Sequence, residues 1–326
     1  MLNAQRFMAL GFAAASLFLS AVASAQGWPS KPVRLINPFP AGGGTDTFAR
    51  PLAAQLSKQL NQQFIVENIG GAGGTIGAAQ AARAAGDGYT FLIGSVHHTI
   101  APSIYPKLTY DIEKDFVPVA LLAVMPNVIV VQPNKLPVKT VKELVEYAKA
   151  NPAKLNFGSP GSGTSQHLAG ELFKVNNQID MVHVPYKGMG PAMQDFLAGQ
   201  LDLVMDGMGA SAAQIKSGRA RPIGLMAAQR SVHFPDIPTL AEQGFANSEV
   251  STWYAVWAIK GTPSDIVEKM YRETMKALAE PNLKTGWANA ASEPGALSPA
   301  ELAQFVRVEI ERWAKVTKAS GAKVDN

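Results

Sequence analysis

Along the chain, short runs of β-branched and aromatic residues alternate with stretches whose apolar positions recur at helical spacing. "VRLIN" (33–37) reads as a strand, and Phe48, Leu52, Leu56 and Leu60 then mark one face of a helix. "QFIVEN" (63–68) is the next strand, "TIGAAQAARAA" (75–85) the next helix, and "YTFLIGS" (89–95) a third strand. A second series begins after "VIVVQP" (128–133). In it, Thr140 and Glu143 form a capping box before the stripe Val141, Leu144, Val145 and Ala148. The strands "LNFGS" (155–159), "MVHV" (181–184), "LDLVMD" (201–206) and "RPIGLMA" (221–227) follow. Between them lie helices through Leu172, from Pro191 to Gly199, and through Lys216. Strands separated by helices predict parallel pairing and an α/β fold. The tail differs: "STWYAVWAI" (251–259) is an apolar strand whose Trp253 and Trp257 belong in the core. A helix starts at Thr262-Pro263, and the last one starts at Ser298-Pro299 with Glu301, its buried stripe being Leu302, Val306, Ile310 and Trp313.

The first residues stand apart from this pattern. "MLNAQRFMALGFAAASLFLSAVASAQ" has a basic start at Arg6, an apolar run from Phe7 to Val22, and the small residues Ala23 and Ala25. Those are the parts of a secretory signal peptide cleaved after Ala25. The mature chain of about 300 residues suits one large domain or two ordinary ones. Arg6 is the only charge in residues 1–25, so its removal takes the net charge from +4 to +3. That mild excess, without lysine or arginine runs, argues against a nucleic-acid partner. The chain has no cysteine, which excludes thiol catalysis and thiolate metal sites.

The stretch that looks most like a site is "GSPGSGTSQH" (158–167). A Walker loop would place lysine where Thr164 stands, and no serine here has the G-x-S-x-G surround of a hydrolase elbow. A triad drawn from distant His183 and Asp206 is the enzymatic alternative. The simpler reading is a helix N-terminus, capped by Ser162 or Thr164, whose free N–H groups hold an anion. "NPFPAGGGTD" (37–46), "NIGGAGGTIG" (68–77) and "PYKGMGP" (185–191) make similar turns, all at carboxyl ends of predicted strands, where open α/β sheets bind ligands. His97-His98 does not chelate a metal if the backbone is extended, since the two rings then face opposite ways. One would face a ligand and the other pack. Asp206 either meets a ligand or caps the next turn.

With these turns in hand, the sequence resembles the substrate-binding receptors of tripartite tricarboxylate transporters, the Bug family of periplasmic binding proteins. The resemblance rests on "PFPAGGGTDTFAR" (38–50), "ENIGGAGGTIGA" (67–78), "LTYDIEKDFVPV" (108–119), "GSGTSQHLAGELF" (161–173), "VHVPYKGMGPA" (182–192) and "PTLAEQGF" (238–245). It implies a type II-like periplasmic binding fold: two α/β domains around a ligand cleft, joined by two crossing strands near residues 122–128 and 248–256. Domain 1 would be discontinuous, 26–124 with 252–326, and domain 2 would be 125–251. It implies a small carboxylate held by Phe39, Ala41, Gly42, Gly43, Thr45 and Asp46 on one side. Ser159, Pro160, Gly161, Ser162, Gly163, Thr164 and His167 would face them. Ser95, His97, Tyr186, Lys187, Gly188 and Asp206 would complete the lining. No cofactor, metal or catalytic residue is implied. The expected partners are membrane transporter subunits or a sensor, and the expected state is a periplasmic monomer. Two departures from the family pattern, Ile69-Gly70 before "GAGG" and Ala101 before Pro102, lower loop polarity and favour a less polar acid than citrate. The rival class is a periplasmic hydrolase on a related bilobal fold, with Ser162, His167 or His183 as working groups.

Overall fold

The computed structural model describes residues 27–322, so the leader at 1–25 and its cleavage site lie outside the described residues. Strands β1 (Val33–Asn37), β2 (Phe64–Asn68) and β3 (Thr90–Ser95) pair in parallel in the order β2-β1-β3. Helices α1 (Gly44–Leu60) and α2 (Thr75–Ala82) connect them, and α3 (His97–Ile104) leaves β3. Phe48, Leu52 and Leu56 are fully buried in one cluster with Leu35 and Phe91, as their spacing predicts. Each such burial is worth roughly 1.5–3 kcal/mol.

The next strand begins well before the 128–133 run after which the sequence placed the second series. β4 runs unbroken over 16 residues, Phe116–Val131. Up to Pro126 it pairs antiparallel with β9 (Ser251–Ile259), which lies between β3 and β4. From Asn127 onward it pairs antiparallel with β7 (Leu203–Asp206) and β8 (Arg221–Met226). Beyond β7 stand β5 (Asn156–Ser159) and β6 (Val182–Pro185), both parallel. Parallel pairing therefore holds within β2-β1-β3 and β7-β5-β6, but β9, β4 and β8 run antiparallel. The reason is topological, since β4 and β9 carry the chain in opposite directions between the two sheets. Pro126 cannot donate to a ladder, and the partner changes directly after it. The Asn127 amide instead donates to Val250 O at 2.9 Å, where the return crossing begins.

The second sheet carries α4 (Val141–Ala150), α5 (Ser165–Asn177), α6 (Met189–Leu197) and α7 (Ser211–Lys216). At α4 Thr140 accepts from the Glu143 amide, but the Glu143 carboxylate takes the amide of Lys139 rather than of Thr140, so the predicted box is half formed. α8 (Ser264–Ala279), α9 (Pro281–Ala288), the short β10 (Glu293–Pro294) on β4, and α10 (Pro299–Ser320) complete the chain. Ser298 and Glu301 form the full reciprocal box. On α10, Leu302, Val306 and Trp313 are buried, but Ile310 is only partly so and Glu309 takes the remaining core position. Its Oε2 accepts from the indole N–H groups of Trp253 (2.8 Å) and Trp313 (3.0 Å), and its Oε1 from Arg312 Nη1 (3.1 Å). Helix α10 packs against both α3 and α5, one from each side of the crossing.

Candidate ligand-binding cleft

All four glycine-rich turns leave carboxyl ends of parallel strands, and the two sheets bring them against one another. A Cβ added at Gly188 would lie 3.0 Å from Pro40 Cδ, one at Gly190 3.2 Å from Ala41 O, and one at Gly73 2.7 Å from Ser162 O. Gly73 and Gly188 also take positive φ, +60° and +134°, so glycine there serves the local bend as well as the approach between the halves. Phe39, Gly43, Gly44, Thr45, His97, Pro160, Gln166, Met189, Asp206 and Tyr254 surround what space remains. It amounts to about 20 Å³, room for one water molecule. The sheets stand closed.

The first loop supplies a helix end without a cap. Gly43 precedes α1 with extended backbone and offers no side-chain acceptor to the first-turn amides. Asp46, which sequence reasoning placed against a ligand, is committed to shaping this loop. Its carboxylate accepts from Gly42 N (3.1 Å), Arg50 Nε (2.8 Å), Asn68 Nδ2 (3.1 Å) and Asn37 Nδ2 (3.3 Å). Burial alone would raise the Asp46 carboxyl, but Arg50, the Gly42 amide and Asn68 outweigh it and hold it below its ordinary value. Ala41 and Gly42 are exposed at the loop's tip.

The second loop is built around histidines. Thr164 caps α5 by accepting from His167 N (3.3 Å), so Thr164 rather than Ser162 is the cap. His167 Nδ1 accepts from Gly163 N at 3.1 Å, and His97 Nδ1, reaching across from the first sheet, accepts from Ser165 N at 3.1 Å. His97 lies on the first turn of α3, not on an extended segment, which corrects the geometry assumed for the 97–98 pair. The division of labour nevertheless holds. His97 lies edge-on to Phe39 at 5.1 Å in the cleft, while His98 is packed on Trp257 and bonded to Tyr110 Oη at 2.9 Å. Burial, with His98 adjacent, lowers His97 to about 3, so the ring is neutral. Because its Nδ1 accepts, its proton sits on Nε2, and His97 brings an N–H donor to the cleft.

Ser159 Oγ lies 2.6 Å from His183 Nε2 and also accepts from Gly161 N at 3.2 Å. His183 stacks on His167 at 4.1 Å, and burial, then His167 and Lys174, lower it to about 3. This pair does not extend to the third member of a triad. Asp206 accepts instead from Ala210 N (3.2 Å) and Ser211 N (2.7 Å), capping its own turn while lining the cleft. Burial pushes its carboxyl above the ordinary value despite Ser211 and those amides.

Ser95 is fully buried at the end of β3, opposite Tyr254, and its Oγ has no partner among the described residues. Two expected residues point elsewhere or outward: Tyr186 spends its hydroxyl on Asp195 Oδ2 at 2.7 Å, and Lys187 is exposed. Gly188 does face the opposing loop at Pro40, while the Tyr186 carbonyl packs on the neighbouring loop of its own half, 3.0 Å from a Cβ built on Gly161. Sequence reasoning missed Gln166, Met189, Tyr254 and Tyr105. Tyr105 Oη donates to Ser162 O at 2.6 Å, tying the halves together. Thr252 Oγ1, on β9 beside the crossing, donates to Asn127 Oδ1 at 2.7 Å and lies 3.1 Å from Ser165 Oγ. Gln166 lay inside the stretch already singled out, but no local signal marks Tyr105 or Thr252, which act through partners distant in sequence.

Comparison with known proteins agrees with this fold. Residues 48–322 match the tripartite tricarboxylate transporter family receptor. Protein BugT of Bordetella pertussis is 36% identical over 326 residues, covering 99% of this chain and 100% of that protein. The R. palustris protein Rpa4515, solved with adipate, superposes with a TM-score of 0.88 at 35% identity, covering 91% of this chain and 100% of that one. MatC from Rhodopseudomonas palustris, solved with bound malate, gives 0.85 at 33% identity, covering 89% of this chain and 99% of the other. The chain therefore belongs to the tripartite tricarboxylate transporter receptor family and has the fold of its periplasmic binding proteins.

Proposed function

We propose that this protein captures a small carboxylate between its two sheets and passes it, chemically unchanged, to a membrane transporter or sensor. The observation that carries the reading is the meeting of two helix N-termini, those of α1 and α5, on one buried space beside the His97 ring. Neither loop 37–46 nor loop 158–167 contains lysine or arginine, so backbone N–H groups and neutral side-chain donors hold the anion. Micromolar binding takes about 8 kcal/mol. Charge-assisted hydrogen bonds give roughly 1.5–3 kcal/mol each, and a helix end adds about 0.3–1 kcal/mol. About four to six such bonds suffice. The relatives solved with adipate and malate support this ligand class. The apolar Ile69-Gly70 and Ala101 positions favour the less polar acids within it.

Pockets for small ligands take about 300 Å³ or more, so the cleft opens to admit its cargo. Opening separates Tyr105 from Ser162 and His97 from Ser165, while the bending falls on the crossings at Pro126-Asn127 and Val250-Ser251. These crossings support the division into 26–124 with 252–326 and 125–251. We read residues 1–25 as a signal peptide and the mature protein as a periplasmic monomer. Calorimetry and thermal shift with a panel including adipate, malate and their esters, with product analysis, test the proposal. One or more acids should stabilise the protein and be recovered intact. Stabilisation by none, or ester turnover, would overturn it.

A further inference from the structure

A concavity much larger than the closed cleft lies outside it. It is an open groove of about 660 Å³ on the first-sheet side, walled by α2 and by the turn at 105–109 that follows α3. Its lining joins Ile76, which is 52% exposed, with Ala79, Leu108 and the half-buried ring of Tyr105. Arg83 and Lys107 stand among the lining residues. Among the described residues, every other arginine has an ion-pair or side-chain hydrogen-bond partner, as with Arg34 and Glu67, Arg50 and Asp46, or Arg221 and Val138 O. Arg83 has none, and neither does Lys107.

We infer that this groove docks a polypeptide segment of the membrane partner in which an acidic side chain lies beside apolar ones. The inference rests on the receptor reading above and names the surface through which that receptor is recognised. The physical reasons are complementary. An apolar floor with an unpaired guanidinium offers area to aliphatic side chains and a planar fork to a carboxylate. The groove also adjoins the cleft without opening into it, because Tyr105, one of its walls, is the residue that donates to Ser162 O across the cleft at 2.6 Å. A partner seated on Tyr105 touches the residue whose bond distinguishes a closed cleft from an open one.

The test uses the mature protein and a short fluorescein-labelled peptide of glutamate and leucine, read by polarisation at physiological salt. The double variant Arg83→Glu/Lys107→Glu should bind this peptide at least tenfold more weakly than the parent. A lysine–leucine peptide should show the opposite order. Calorimetry on the same samples, with whichever acid stabilises the parent, should give equal affinities, since neither residue lines the cleft. Equal peptide binding by parent and variant would overturn the inference. So would binding of phosphatidylglycerol vesicles in place of the peptide, which would make the groove a lipid surface. Weaker acid binding by the variant would also overturn it, by making the groove part of the cargo site. If no acid binds the parent while the peptide result holds, the carboxylate reading fails and the groove stands.

Discussion

Replacing Gly163 with valine separates a working clamp from an ordinary turn. Gly163 has φ +79°, and its amide donates to His167 Nδ1 at 3.1 Å. Left-handed backbone costs an L-residue about 1–2 kcal/mol, with β-branched side chains at the upper end. A Cβ there would also lie 2.8 Å from Tyr105 Cε2 and 2.9 Å from Ile104 Cγ2. Forcing extra carbons into a packed contact costs about 1–3 kcal/mol. The two costs act on different equilibria. The backbone cost falls on the folded protein whether open or closed. The steric cost falls on closure, because Tyr105 and Ile104 belong to the opposite half. Binding therefore feels the steric share alone, about 1–3 kcal/mol, which is roughly fivefold to 150-fold in affinity. Calorimetry with the preferred acid measures it, and circular dichroism melting confirms a fold that loses only the smaller, backbone share. Affinity within threefold or so of the parent in a folded Gly163→Val protein, well under 1 kcal/mol, would refute the clamp.

Tyr105→Phe keeps the ring and removes the donor to Ser162 O, so affinity should fall by about two- to tenfold, one neutral hydrogen bond, as measured by calorimetry. Asp46→Asn removes the ion pair with Arg50 and leaves fewer acceptors for the Gly42 and Asn68 donors. It should cost about 1–3 kcal/mol in melting experiments and weaken acid binding with it. His97, His98 and His183 have folded values lowered to about 3, so they bind protons more readily in the unfolded chain. Their contribution is fully present above about pH 6.5 and is lost progressively as pH falls toward 3, by up to about 1.4 kcal/mol per pH unit for each. Melting temperature should therefore drop steeply below pH 6, and a flat profile from pH 7 to 4 would contradict the buried neutral rings.

The sequence alone determined the features whose causes are local. Strand-to-helix glycine turns, the Ser298/Glu301 box and the Phe48-Leu52-Leu56 stripe depend on φ, on a side chain three residues away, or on helical period. Each can be read within one turn of chain. Tertiary structure decided the rest. The length of β4 was hidden because Pro118 and Pro126 look like strand breakers, and only pairing with β9 on one side of Pro126 and with β7 and β8 beyond it makes the strand continuous. Glu309 was hidden because a carboxylate enters a core only when donors meet it, and although Trp313 lies on its own helix, the Trp253 indole reaches it from β9. The same reason governs the cleft. Its glycines were legible because backbone geometry requires them, but the acceptors on their amides were not. His97 meets Ser165, and Tyr105 meets Ser162, across 68 and 57 residues of chain, and only closure of one sheet on the other brings those pairs within a hydrogen bond.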